Sequence, residues 1–438
     1  MLALTNKLDI KPWMKNPKIK AVLSAITKNG KEARFIGGCV RDRLLNKKIH
    51  DIDIATQELP QNIIRLLKGA GIKAVPTGLK HGTIMAVINN ETFEITTLRR
   101  DVQTDGRHAE VQFTENWEHD AARRDFTVNA ISIDLEGKIF DYFNGRHDLD
   151  KKIIRFVGHA PNRINEDHLR ILRYFRFIAT MGLNIGDPKE LDACIDQAGK
   201  LRGLSGERIC SELLKILSSK MENSILHIMY EKGILGVILP HATSPERLME
   251  LARLETRILN IKAIRPDPIR RLATLVKTDV SGIDEITNAL KLSRIEHKQL
   301  INIKKNTDAI YWNITHDRLQ RAIFKLGKKT VIDLALYNWA DMIISSSKYT
   351  SELEDSWMQI IAAAEEQQDR ELILPIKGQD VVDLGIPPSY KISQLLEQVE
   401  EWWLQNGCTA DRKTCLKKLK FFAGLPSYAI DKSKLQEN

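Results

Sequence analysis

The chain changes character once, near residue 150, and that change limits the folds open to it. Before it, runs rich in β-branched residues at 83–88, 92–97 and 126–133 read as strands, with Asn89-Asn90 as a hairpin turn. Residues 33–36 and 51–55 are shorter strands ending or starting near glycine and aspartate. Asn16-Pro17 places a cap and an N1 proline before a helix that Gly30 closes, and residues 60–67 form a second helix. From Glu166 onward nearly every segment has helical periodicity, as in Ile209, Leu213, Ile216 and Leu217, and later Leu395, Leu396, Val399 and Trp402. Ser293 and Glu296 carry the spacing of a capping box at a helix start. The expected class is α+β, a mixed-sheet head followed by an all-helical remainder. With 438 residues to place, we divide the chain into a head (1–155), a neck (156–240), a body (241–370) and a tail (371–438).

Charge bounds the partners. Lysine and arginine number 66 against 57 acidic residues, a net charge of +9, which favours a polyanion. The excess is uneven: residues 1–50 hold 12 basic and three acidic side chains, whereas 101–150 hold five basic and 12 acidic ones. Cys39, Cys194, Cys210, Cys408 and Cys415 show no C-x-x-C spacing, so neither a disulfide framework nor a zinc site is expected. Asn6, Lys7, Asp9 and Lys11 interrupt any apolar run at the N-terminus, and no stretch approaches the ~20 apolar residues of a membrane span. A reducing, cytoplasmic setting without membrane contact is the expectation.

Three constellations carry chemistry. Gly37-Gly38-Cys39-Val40-Arg41-Asp42 follows a strand, so backbone amides can approach a phosphate there and Arg41 adds a planar fork. Asp51 and Asp53 stand two apart, on one face of a strand, and two such carboxylates call for a cation between them, naturally Mg²⁺ shared with a triphosphate. Alone, D-x-D is a weak signal; behind G-G-x-V-R-D it is specific. Arg123-Arg124-Asp125-Phe126-Thr127-Val128-Asn129-Ala130 sets two cations before a strand, with Asn129 free for a sugar hydroxyl. Its structural alternative is a helix C-terminus whose dipole the arginines complement. Glu166-Asp167-His168-Leu169-Arg170, continuing to Arg173 and Arg176, places Asp167 and Arg170 three apart on a helix. As a surface ion pair this is worth only ~0.3–0.5 kcal/mol. As a recognition edge it offers an acceptor beside a donor, matching cytosine and adenine and mismatching uracil and guanine.

Together, G-G-x-V-R-D…D-x-D, R-R-D-F-T-V-N-A and E-D-x-x-R-x-x-R resemble the class II tRNA nucleotidyltransferase and bacterial poly(A) polymerase family. Phe140–Gly145 with Asp148-Leu149 resembles its hinge motif, and Thr96–Arg100 with Thr104–Val111 its flexible loop. The similarity is strong over residues 33–180, looser beyond, and closest to the mitochondrial and alphaproteobacterial branch. It implies a DNA polymerase beta-like nucleotidyltransferase head and helical neck, body and tail that hold tRNA. In it Asp51 and Asp53 bind Mg²⁺, with Glu94 a candidate third carboxylate. Gly38 and Arg41 hold the triphosphate, Arg124 the ribose and phosphate side, and Asp167 and Arg170 select the base with Arg173 and Arg176 in support. Residues 101–108 are the mobile segment that switches the pocket. CTP, ATP and a tRNA 3′ end are the implied substrates. The tail departs from the family at Ile386-Pro387-Pro388-Ser389-Tyr390, which lacks a glycine-proline pair.

Poly(A) polymerases share all three head motifs, and an A-adding-only enzyme keeps the same head, so both remain rivals. Lys80-His81-Gly82-Thr83 resembles the CCA-adding form. His119-Asp120, His147-Asp148 and His316-Asp317 lack the further histidines of a metal phosphohydrolase and read as chance surface pairs. A binding-only RNA protein has no use for Asp51 and Asp53, which repel phosphate without a metal. In the body, Arg270, Arg271, Lys304 and Lys305 are expected to contribute to salt-dependent tRNA affinity.

Overall fold

The computed structural model describes residues 13–14, 16–49, 51–104, 109–220, 225–258, 264–345, 350–366 and 373–425. The chain divides into two compact units, Met1–Pro245 with Asp284–Ser293, and Glu246–Ile283 with Arg294–Asn438.

In the first unit Asn16 accepts a hydrogen bond from the Lys18 amide and Pro17 opens α1 (Pro17–Ile26), as the cap signal requires. Strand β1 (Ala33–Ile36) runs into α2 (Gly38–Leu44), and β2 (Asp53–Thr56) precedes α3 (Pro60–Gly69). Strands β3 (Lys73–Gly78), β4 (Thr83–Ile88) and β5 (Glu91–Thr97) follow, then the β6 (Arg99–Thr104)–β7 (Ala109–Phe113) hairpin and α4 (Trp117–Ala122). Asn89 and Asn90 both have positive φ (46° and 64°), which suits the tight β4–β5 hairpin. With β8 (Ser132–Ile133) and β9 (Ile139–Phe140), a seven-stranded sheet forms in the order β3-β4-β5-β2-β1-β8-β9. Its one parallel step pairs β2 with β5 and sets Asp53 opposite Glu94.

Two local readings change. Residues 126–133 do not form one strand: Phe126 makes an isolated bridge to Phe156, Thr127–Asn129 is a 3₁₀ turn, and Ser132–Ile133 alone joins the sheet. The Asp125 carboxylate causes this, accepting from the Phe126 amide and the Asn129 side chain, both at 2.9 Å, and so curling the chain. Asp51 lies two residues before β2 rather than on it.

Beyond α5 (Gly145–Lys151) and β10 (Ile153–Ile154), the unit is mainly helical: α6 (Ala160–Glu166), α7 (Arg170–Met181), then β11 (Asn184–Ile185), α8 (Pro188–Asp196) and α9 (Gly206–Leu217). Phe126, Phe156, Tyr174 and Phe177 pack ring to ring, with Phe126–Phe156 at 4.9 Å and Phe156 stacked on Tyr174 at 5.5 Å. This buried cluster fixes α7 against the Asp125 turn.

The second unit is helical throughout its described residues. Its interior holds an ionic network: Arg270 donates to Glu255 and Asp333, each at 2.6 Å, and Arg271 lies 2.7 Å from Glu255. The expectation that Arg270 and Arg271 meet tRNA is therefore overturned, because both guanidiniums are sealed in the core by these carboxylates. Lys304 is likewise engaged, by the Val276 carbonyl (2.9 Å) and the Tyr337 hydroxyl (3.1 Å), while Lys305 is exposed. Trp403, Val399, Val381, Cys415 and Leu419 form a separate small core near the C-terminus. Among the described residues no helix is long and apolar enough to cross a membrane.

Candidate active site

The site begins at the glycine pair. Gly37 has φ 67° and ψ −130°, a conformation that costs an L-residue dearly. A Cβ there would lie 3.5 Å from Arg124 Nη1 and 3.8 Å from Asp53 Oδ2, so the turn brings a cation and a carboxylate together over bare backbone. Gly38 starts α2, and Arg41 one turn on donates to Asn129 Oδ1 at 2.7 Å and to Asp42 at 2.9 Å. Beneath them the buried Cys39 thiol donates to the Ile36 carbonyl, and burial pushes its pKa up to about 12, leaving it inert.

Asp53 sits where like charges converge. Burial raises its pKa, Glu94 across the strand register and Asp51 add to this, and Arg124 opposes, leaving it at about 6. Among the described residues no three His, Cys, Asp or Glu side chains close on one point as a metal cage. A two-carboxylate seat fits an ion that keeps open positions for water and phosphate oxygens.

Asp120, buried on α4, holds Arg123 (2.8 Å) and Arg124 (2.9 Å) together. Burial alone would raise this carboxyl, but the two guanidiniums outweigh it and hold it below the usual range. The reading of His119-Asp120 as a chance surface pair is thus overturned for the aspartate. Asp148 is also fully buried, accepting from Thr127 Oγ1 at 2.5 Å and from Arg155 at 2.6 Å, so the surface reading fails for that aspartate too, while His147 is exposed. His316 and Asp317 are exposed, as expected.

Asn129 is not free for a sugar. Its oxygen accepts from Arg41 and its amide donates to Asp125, whose other oxygen accepts from Arg173 Nε at 2.8 Å. One continuous bridge, Arg41–Asn129–Asp125–Arg173, therefore ties the glycine turn to α7. Arg176 is held by buried Glu212 at 3.1 Å and lies over the Phe177 ring, 4.7 Å from its centre.

Asp167 and Arg170 are near neighbours but not partners on one helix. Asp167 is extended (φ −151°, ψ 107°) in the break between α6 and α7, and only the Arg170 amide reaches back to its carbonyl, at 3.0 Å. The Asp167 carboxylate accepts two hydrogen bonds from Arg208 of α9, at 2.8 and 3.0 Å. Arg170 instead donates to Glu166 (2.6 Å) and to the carbonyls of Arg163 and Arg123, both at 2.9 Å. Asp120, Asp125, Glu166, Arg208 and Glu212 are thus residues that sequence reasoning passed over as site components. The signal for Glu166 and Asp125 lay inside the motifs themselves; Arg208 and Glu212, some 40 residues on, gave none. The proposed mobile segment begins in β6, and residues 105–108 lie outside the described residues.

Comparison with known proteins decides the family. Residues 33–155 match the "Poly A polymerase head domain" and residues 187–246 the "Probable RNA and SrmB- binding site of polymerase A". The chain is 37% identical over 407 residues to CCA tRNA nucleotidyltransferase 1, mitochondrial, of Homo sapiens, covering 92% of this chain and 89% of that one. The chain belongs to the class II CCA-adding tRNA nucleotidyltransferase family. The CCA-adding enzyme of Lactobacillus johnsonii is 32% identical over 388 residues, 87% of this chain and 91% of its own. Among solved structures, the Bacillus stearothermophilus CCA-adding enzyme in complex with CTP superposes with a TM-score of 0.73 at 26% identity, covering 94% of this chain and 98% of that one. The head is accordingly the polymerase beta-like fold of these nucleotidyltransferases, and this chain is a nucleotidyltransferase.

Proposed function

We propose that the chain adds C, C and A to the 3′ end of tRNA from CTP and ATP, without a nucleic-acid template. The observation that carries the reading is the bridge from Arg41 through Asn129 and Asp125 to Arg173, which couples a phosphate-ready glycine turn to a helix ready to read a base. Gly38 and Arg41 hold the triphosphate, and Arg124, steadied by Asp120, takes the ribose and phosphate side. Asp51 and Asp53 hold a divalent ion, Mg²⁺ in this reading, which when bound activates the primer 3′-hydroxyl and offsets charge at the α-phosphate. The 3′-hydroxyl loses its proton to solvent, its oxygen forms a bond to the α-phosphorus, the bond from the α-phosphorus to the bridging oxygen breaks, and pyrophosphate leaves with that oxygen. Catalysis then rests on positioning and on cations aimed at developing charge.

Base choice falls to Asp167 and Arg170. The Asp167 carboxylate faces an amino donor, Arg170 a ring-nitrogen acceptor, and each is aimed by its own partner, Arg208 or Glu166. Cytosine and adenine satisfy both; uracil and guanine leave both unpaired. Arg173 and Arg176 support the base and phosphates. We place this work in the cytoplasm, consistent with free cysteines at all five positions; cell fractionation tests that placement against the organelle of the human relative.

The test is primer extension on tRNA transcripts ending before the first C, before the second C and before A, each with Mg²⁺ and CTP, ATP or both. Additions that stop at CCA support the reading. Addition of A alone, or unbounded A tails, overturns it in favour of an A-adding enzyme or a poly(A) polymerase.

A further inference from the structure

Glu190 is buried in the first turn of α8, and its carboxyl serves something other than its own helix. Asp187 caps α8, accepting from the Lys189 amide at 2.9 Å, and the D-x-x-E spacing would let Glu190 reach back to the Asp187 amide as a capping box. It does not do so. Its Oε1 accepts from the Phe156 amide, 34 residues earlier, at 3.0 Å. Its Oε2 is buried and has no hydrogen-bond partner among the described residues.

The Phe156 backbone leads from there to the nucleotide side. Phe126 and Phe156 form an antiparallel bridge in which the Thr127 amide donates to the Arg155 carbonyl and the Val157 amide to the Asp125 carbonyl, each at 3.0 Å. The Phe156 amide therefore points to the opposite edge, where Glu190 supplies the acceptor that a further strand would otherwise give. Asp125, on the inner edge, carries Arg173 directly and Arg41 through Asn129. The Phe156 ring also stacks on Tyr174, the chain neighbour of Arg173. One buried carboxyl thus braces, from behind, both the turn and the helix that meet at the site.

The surroundings disfavour charge on this carboxyl. Burial raises it to about 7; the Phe156 amide opposes this, Asp187 on the same helix and Asp148 on α5 add to it, and Arg155 works against it. The Arg155 guanidinium is already engaged by Asp148. Tyr174 of α7 and Cys194 of α8 face Glu190 as neutral groups, both kept protonated by burial. The other charged side chains of α8 and of the 3₁₀ turn after it (Ala198–Gly203) are exposed, Arg163 pairs with Glu166 on α6, and β11 has no ionisable side chain.

We propose that Glu190 is a positioning residue for the nucleotide site, bracing the Asp125 turn through the Phe156 amide, and that it does so in its neutral, protonated form. Ionised, its second oxygen carries charge into the interior with no donor to receive it. Relief comes from a shift of residues 155–157 that admits water, and this loosens Asp125, Asn129 and Arg173 together. A carboxyl held above its ordinary 4.5 gives the fold stability that is complete below that pH and is lost as pH rises through about 7. Nucleotide affinity follows the same direction. The inference rests on the nucleotide-site reading above.

The experiment is calorimetric titration of CTP, with Mg²⁺, into the full chain and its Glu190→Gln and Glu190→Ala variants between about pH 6 and 8, with kcat and KM from primer extension over the same range. At the upper end about a tenth of wild-type molecules keep the proton, so CTP binds about tenfold more weakly than at the lower end, and KM rises while kcat at saturating CTP stays in place. Glu190→Gln keeps an acceptor for Phe156 and cannot ionise, so it holds the low-pH affinity throughout. Glu190→Ala loses the acceptor and binds weakly at every pH. The terminal phosphate of CTP and Asp53 titrate in all three proteins, so the difference between profiles is the readout. A Glu190→Gln profile that changes with pH as the wild type's does overturns the proposal and assigns the titration to those groups. A lowered Tm with wild-type CTP affinity in Glu190→Ala overturns it in favour of a role in folding alone. A wild type that binds CTP equally across the range defeats the Glu190 assignment by itself, whereas one that binds no CTP at any pH defeats the nucleotide-site reading and this proposal with it.

Discussion

Arg270 in the body and Arg41 in the head look alike in sequence, each a cation beside another charged residue, and the fold uses them in opposite ways. The Arg270 and Arg271 side chains are 4% and 1% exposed, and Glu255 and Asp333 match them charge for charge. The Arg41 and Arg173 side chains are 14% and 32% exposed; Asp42 pairs with Arg41, and Asp125 serves Arg173 directly and Arg41 through Asn129. Asp120 is likewise shared between two arginines. The head thus keeps cationic capacity unspent, whereas the body consumes it. Carboxylates divide the same way. In the body, burial would raise Asp267, but the Arg270 amide, Gln299 and Lys329 outweigh it and bring it to about 2. In the head, burial and Glu94 push Asp53 up to about 6. Surplus charge of each sign, held apart and unneutralised, is what a site for metal and triphosphate needs.

Breaking the head's half of this contrast gives the largest effect. Asp53→Ala is expected to lower kcat by about a thousandfold or more, with tRNA binding retained in a gel-shift assay. The same position tests the sign of its strain. The folded state holds the Asp53 proton more tightly than the unfolded chain, so stability falls as pH rises from the ordinary 3.8 towards about 6. Asp53→Asn should therefore raise the Tm of the metal-free protein at neutral pH. Breaking the body's half does the reverse: Arg270→Ala leaves Glu255 with Arg271 and Asp333 with Lys329 and Gln299, a buried network short of one cation, and costs about 3–5 kcal/mol, read by denaturant unfolding. Turnover per folded molecule stays at the wild-type value.

The contrast also shows what the sequence discloses. The glycine pair, the two aspartates and the three motifs were legible because their chemistry depends on short spacing. The strands of the β4–β5 hairpin and the helix opened by Asn16-Pro17 were legible for the same reason. Charge partners distant in the chain were not. Nothing local separates Arg270, buried by Glu255 and Asp333, from a surface arginine. Nothing local says that Asp167 is off the helix and gripped by Arg208. Residues 126–133 misread as a strand because propensity there is real, while the Asp125 carboxylate, not propensity, shapes the backbone.

That hidden pairing sharpens the comparison at the base-reading end. Asp167→Ala is expected to reduce discrimination against UTP and GTP by about a hundredfold, measured as the ratio of kcat/KM values. It weakens CTP binding less than it relaxes choice. Full rejection of UTP and GTP by this variant defeats the edge-pairing account. Arg208→Gln leaves the carboxylate in place but loosens its aim, so it should show the same relaxation to a smaller degree.

The smallest effect is the pH dependence of metal affinity, and it discriminates most finely between the two kinds of carboxylate. An ion can enter only when Asp53 has released its proton, so affinity climbs with pH and levels off above about 6, where Asp53 is ionised. Below that, each pH unit costs about tenfold. Calorimetric titration with Mg²⁺ at several pH values traces the bend without any turnover. If Asp53 behaved as an ordinary carboxylate at 3.8, the plateau would run down to that pH instead. Glu94→Gln removes the strongest like charge facing Asp53, so the bend should move to lower pH. A bend that stays put places the cause in burial alone and removes Glu94 from the site's electrostatics.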